Sequence, residues 1–135
     1  MARACSALAI ASKKPEAPIV VEDLCFQAQQ AAEKALKAVC RDKGIEFRFT
    51  HDIDELVERL SDNGVVITGE VEDATILTRY AVQTRYPGLA PALTKADWME
   101  AVGLAMGVVR WASTLLGLDP GLDLEGLFPG GREEK

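Results

Sequence analysis

The run Leu24 to Lys37, LCFQAQQAAEKALK, constrains this chain most. Val21, Leu24, Ala28, Ala31, Ala35 and Val39 recur at steps of three and four residues, and Cys25, Ala32 and Leu36 widen the stripe. That is the period of a helix with one buried face. Alanine side chains are small, so a facing helix can approach closely. Gln29, Gln30, Glu33, Lys37 and Arg41 fill the polar side. There Glu33 and Lys37 make an i,i+4 pair that contributes about 0.2–0.5 kcal/mol on a solvated surface. The helix is expected over about 19–43, with Gly44 as its stop.

The other segments repeat this logic. A short helix is expected over about 3–13, ended by Pro15 and Pro18. Its apolar run is too short to read as a secretion signal. Asp52 and Glu55 fit a capping box for a short helix over about 52–62, with Thr50 as a rival cap. Val71, Ala74, Leu77 and Ala81 predict one continuous helix over about 70–85, whose first acids Glu70, Glu72 and Asp73 suit the positive end of the helix dipole. Thr94 with Asp97 caps a long helix over about 94–116, in which Gly103 and Gly107 mark a close approach. The β-branched runs Ile19–Val21 and Val65–Thr68 are too short to predict a sheet. The expected fold is all-α: an up-and-down antiparallel bundle of about five helices, three long and two short. One domain is expected over 1–118, followed by a flexible tail over 119–135 that carries four glycines and Pro129.

Charge and cysteine count narrow the function. The net charge is −6, which disfavours non-specific DNA binding, because phosphate binding needs clustered cations. Cys5, Cys25 and Cys40 form no CxxC and no disulfide framework, so buried reduced thiols and a cytoplasmic location are expected. No apolar run approaches the roughly 18 residues of a membrane span. A single histidine leaves no multi-histidine metal site, and no phosphate loop, dinucleotide fingerprint or nucleophile elbow is present. No metal, cofactor or catalytic residue is expected.

Two constellations remain for binding. His51 opens the third helix beside Asp52, where a ring nitrogen can face the mouth of the bundle, bind an anion or take a proton. On the fourth helix Arg79, Gln83 and Tyr86 fall at i, i+4 and i+7, with Arg85 near its end. An Arg beside a Tyr can hold a phosphate and stack on a base. His51, Arg79, Gln83, Arg85 and Tyr86 are therefore the candidate nucleotide or anion site. Lys34, Lys37 and Arg41, with Gln30, form a second stripe that reads as a solvated face.

Three motifs together carry a family resemblance. Cys25 to Val39, CFQAQQAAEKALKAV, resembles the second-helix signature of the HEPN family; Thr50-His51-Asp52 with Leu56 resembles its tH-x-L element; Thr84-Arg85-Tyr86-Pro87 resembles its tRYP ending of the next long helix. The resemblance implies a helical bundle, often a homodimer, that binds nucleotide or regulates a separate minimal nucleotidyltransferase, and in some cases forms part of a toxin–antitoxin pair. Some branches are metal-independent ribonucleases that use an Arg followed a few residues later by a His. Here no His follows Arg79, and His51 precedes it, so the ribonuclease motif is absent as written. The expected function is a non-catalytic nucleotide-binding or regulatory module. The alternatives are a divergent ribonuclease toxin and a homodimeric scaffold without ligand.

Overall fold

The alanine-rich run forms the central rod. The computed structural model describes residues 1–83 and 92–118. The expected tail over 119–135 and the run Thr84 to Pro91 lie outside the described residues. Helix α2 spans Val21–Asp42. Its Ala28, Ala31, Ala32 and Ala35 are fully buried, which lets α2 pack against both neighbouring helices. The others are α1 (Ala2–Ala11), α3 (Ile53–Asp62), α4 (residues 69–83) and α5 (Lys95–Leu116). No strand occurs among the described residues, and Val65–Thr68 is a loop between α3 and α4.

Side-chain contacts fix the directions. The indole N–H of Trp98, at the start of α5, donates to Ala11 O at the end of α1 over 2.7 Å. The Leu93 N–H, just before α5, donates to Glu22 in the first turn of α2 over 3.1 Å. At the opposite end, Met1, Arg41 and Leu116 line one hollow. Helix α1 therefore runs antiparallel to both α2 and α5. Helix α4 starts beside the second half of α5, where Glu70 lies against Gly107. It ends where Tyr80 lies within electrostatic reach of Asp97 and close to Cys25, near the starts of α5 and α2. Consecutive long elements alternate in direction, which is an up-and-down bundle.

Four local expectations change. Helix α4 is not one continuous α-helix: α-turns Gly69–Asp73 and Arg79–Gln83 flank a 3-10 turn, Ala74–Thr78. Thr75, Ile76 and Thr78 are β-branched, which weakens an α-helix interior. The Thr75 hydroxyl also donates back to Glu72 O over 2.8 Å. The Thr78 hydroxyl accepts the Ile53 N–H at 2.9 Å, satisfying a donor in the first turn of α3.

At α3, Asp52 caps as expected by accepting from the Asp54 and Glu55 N–H groups. Glu55 does not close the capping box. It pairs instead with Arg48 at 2.7 and 3.0 Å, and Thr50 Oγ1 accepts the Asp52 N–H. The Thr94–Asp97 box forms in full.

Gly107 does not mark an unusually close approach, because a Cβ there would lie 3.7 Å from that of Glu70, an ordinary contact. Helix α5 is also long and apolar enough, by length and composition alone, to cross a membrane. Its Trp98, Val102, Ala105, Val109 and Ala112 are buried among the other helices, as in the core helix of a bundle.

Candidate functional site

The polar side of α2 is covered along part of its length. Gln29 is 0% exposed, Glu33 3% and Lys37 8%, so the Glu33–Lys37 pair is buried rather than solvated. The cause is the chain between α2 and α3, which returns over this side. From this connection Phe47 meets Lys37 and Arg41, Phe49 meets Lys37, and His51 meets Glu33. The Gln29 amide fastens that segment by donating to His51 O over 3.0 Å.

Glu33 is the hub. Its Oε1 accepts from Gln29 Nε2 at 3.0 Å and lies 2.9 Å from His51 Nδ1. Its Oε2 accepts from Lys37 Nζ at 2.8 Å. Burial alone would push this carboxyl up. The hydrogen bonds from Lys37, His51 and Gln29, with the Lys37 charge, outweigh burial and hold it below the ordinary carboxylate range. An ionised Glu33 only accepts, so His51 Nδ1 carries the proton in this contact. In neutral His51, Nε2 is then the free basic nitrogen. Gln30 donates to Gln29 Oε1 at 2.7 Å, and Lys34 Nζ donates to Gln30 Oε1 at 2.6 Å.

Around this hub lies a cleft of about 490 Å³ between α1, α2 and the α2–α3 connection. Arg3, Lys34, Lys37 and Arg41 line it, together with Phe49 and His51. Lys37 Nζ stands 5.1 Å from the Phe49 ring centre and 5.8 Å from that of Phe47, and the Arg41 guanidinium lies 5.4 Å from Phe47. These are cation–π distances. Phe49 meets the His51 ring edge-on at 5.6 Å. It is nevertheless 87% exposed, so a flat apolar face stands beside Lys37 in a cleft lined by four cations. That combination can hold an anion and stack an aromatic ring.

Of the residues singled out by sequence, His51 is in the cleft. Lys34, Lys37, Arg41 and Gln30 join it, although their spacing reads as a solvated face. Arg79 is exposed on α4. Its Nη2 donates to the Tyr80 hydroxyl at 2.9 Å, and it feels the charges of Glu100 and Asp97. It is not among the residues lining the cleft. Gln83 closes α4, but its side chain, and Arg85 and Tyr86 entirely, lie outside the described residues.

Sequence reasoning missed Glu33, Gln29, Arg3 and Phe49 as site residues. The usable signal was three ring side chains within five residues, Phe47, Phe49 and His51, in a stretch outside any helical pattern. The cysteines stand apart. All three are buried free thiols, and none lines the cleft. Cys25 is pushed up to about 12, chiefly by burial and further by the charges of Asp97 and Glu22, against Arg79, so it stays a protonated thiol at neutral pH. Among the described residues no three His, Cys, Asp or Glu side chains converge as metal ligands.

No curated protein and no solved structure matches this chain. The HEPN domain model matches residues 2–115, which takes in α1 to α4 and nearly all of α5, and the chain belongs to the HEPN domain family.

Proposed function

We propose that this chain is a non-catalytic nucleotide-binding or regulatory HEPN module that works with a separate minimal nucleotidyltransferase. A homodimer in the cytoplasm and a place in a toxin–antitoxin pair belong to the same reading. The observation that carries it is the cleft, which Arg3, Lys34, Lys37 and Arg41 line together with an exposed Phe49. The one carboxylate at the floor of the cleft is already engaged by Lys37 and His51, so it opposes a phosphate weakly. In this reading His51 and the α1–α2 cations take the phosphates, and the Phe49 face takes the base. Arg79, followed by Gln83, Arg85 and Tyr86, is the alternative place for the anion.

Titration calorimetry with ATP and GTP tests the proposal. Heat of binding is expected for the native chain and a large loss for Lys34→Ala. No heat with either nucleotide removes the nucleotide reading and leaves the scaffold. Co-purification with a nucleotidyltransferase encoded beside this chain tests the partner.

One observation favours the ribonuclease alternative. A buried carboxylate orienting an imidazole is an arrangement suited to general-base chemistry, and Glu33 holds His51 in that way. If the chain is a toxin, its expression arrests growth and His51→Ala relieves the arrest. Growth unaffected by the native chain eliminates this alternative.

A further inference from the structure

We propose that the ligand of this cleft is a dinucleotide, two nucleosides joined through phosphate, lying along the α1–α2 face. The inference rests on the nucleotide reading and deepens it. A second hollow of about 240 Å³ adjoins the cleft along the same face, and the two share Arg3, Gln30 and Lys34 as lining. Its far end is apolar, built from Ile10 on α1 and Phe26 on α2. Phe26 is half-buried and Ile10 is 41% exposed, so both offer carbon surface to a ligand. The face therefore reads, in order, aromatic ring, cation pair, aromatic ring: Phe49, then Arg3 with Lys34, then Phe26.

Each part suits one part of such a molecule. Every base has an apolar face that stacks on a phenyl ring. Arg3 and Lys34 supply two positive charges at the junction, and Lys34 uses one of its three donors on Gln30. A bridging phosphate placed there meets these donors, and the nearby Glu33, which lines the first hollow but not the second, is already engaged by Lys37 and His51. The two ends are well apart: Lys37, which touches Phe49, lies eleven positions after Phe26 on α2, about 16 Å at the helical rise. One nucleotide fills the Phe49 end and leaves the Phe26 end empty, whereas two bases about a phosphate occupy both.

The test compares AMP with the 5′-phosphorylated diadenylate pApA by titration calorimetry on the full chain. The expected result is that pApA binds about tenfold more tightly than AMP, the gain of one stacked base. Phe26→Ala should return pApA to the affinity of AMP and leave AMP unchanged. Ile10→Asp, at an exposed position, should do the same by placing a negative charge beside the second base, and it serves if Phe26→Ala fails to fold. Equal affinities for AMP and pApA in the native chain, or a tighter pApA complex insensitive to Ile10→Asp, overturn the dinucleotide while the mononucleotide reading stands. Binding of neither ligand overturns both. A ten-residue oligoadenylate that binds far more tightly than pApA also overturns the two-base limit.

Discussion

Glu33 Oε1 and His51 Nδ1 lie 2.9 Å apart and join residues eighteen apart in the chain. The contact fastens the strap before α3 onto the middle of α2. The same carboxylate binds Lys37 at 2.8 Å, so one buried acid neutralises a cation and orients an imidazole. The floor of the cleft depends on it.

Removing that acid should be costly. Glu33→Ala leaves the Lys37 ammonium buried without its partner and His51 without its acceptor. Loss of one member of a buried ion pair costs about 3–5 kcal/mol. The measurement is the urea midpoint, at unchanged slope. A loss of less than about 1 kcal/mol would mean that the pair is solvated.

Acid should loosen the same contact. The folded Glu33 carboxyl titrates below the ordinary value of 4.5. The unfolded chain therefore binds this proton more readily than the folded one, so the contribution of Glu33 is complete above pH 4.5. It is lost as pH falls through the folded value. Thermal midpoints should drop on acidification below that point, and Glu33→Gln should flatten the drop over the same window. Identical pH profiles for the two proteins contradict this.

Binding and stability should separate at Phe49. The ring is 87% exposed, and its packing partners are the His51 edge and the Lys37 ammonium. Phe49→Ala should change the unfolding free energy by no more than about 0.5 kcal/mol. It should weaken nucleotide binding by about 1–3 kcal/mol, the share of one stacked base. Unchanged affinity removes Phe49 as the platform.

Much of the fold was legible in local patterns, and most of the site was not. The alanine spacing of α2, the Thr94–Asp97 box and the acid-rich start of α4 are properties of adjacent residues, so they survive without tertiary knowledge. The Thr78 hydroxyl that accepts the Ile53 N–H ties the 3-10 turn of α4 to a residue twenty-five positions away, a contact no local pattern shows. Burial of Gln29, Glu33 and Lys37 depends likewise on a strap that follows α2 in sequence and crosses it in space. Helical periodicity sorts residues into inner and outer faces. It does not show that an outer face is roofed by another segment. For that reason the Lys34, Lys37 and Arg41 stripe reads as solvated while the structure places it in a cleft. The three ring side chains Phe47, Phe49 and His51, close together outside any helical pattern, were the local trace of that roof.

A glycine in α5 offers a gain in stability. Gly107 sits inside a helix, where glycine is about 0.8–1 kcal/mol less favourable than alanine. A Cβ there would meet Glu70 side-chain atoms at 3.6 and 3.7 Å, which are ordinary contacts. Gly107→Ala should therefore stabilise the bundle by about 0.5–1 kcal/mol, seen as a higher melting temperature. A lower one would mean that α4 and α5 tolerate no added methyl at this contact.

The anion site has two candidate places, and paired variants decide between them. Lys34 spends one donor on Gln30 and lines the cleft. Arg79 donates to Tyr80, stacks 5.0 Å over that ring and feels Glu100 and Asp97, so acids already attract it. A phosphate near Arg79 would also meet those two carboxylates, and their repulsion offsets what one guanidinium contributes. Lys34→Ala should weaken ATP binding about tenfold, since a hydrogen bond to a charged group contributes about 1.5–3 kcal/mol. Arg79→Ala should leave affinity within about twofold and alter only the surroundings of Tyr80, visible in its fluorescence. The reverse pattern, with Arg79→Ala losing affinity and Lys34→Ala keeping it, moves the nucleotide to the end of α4.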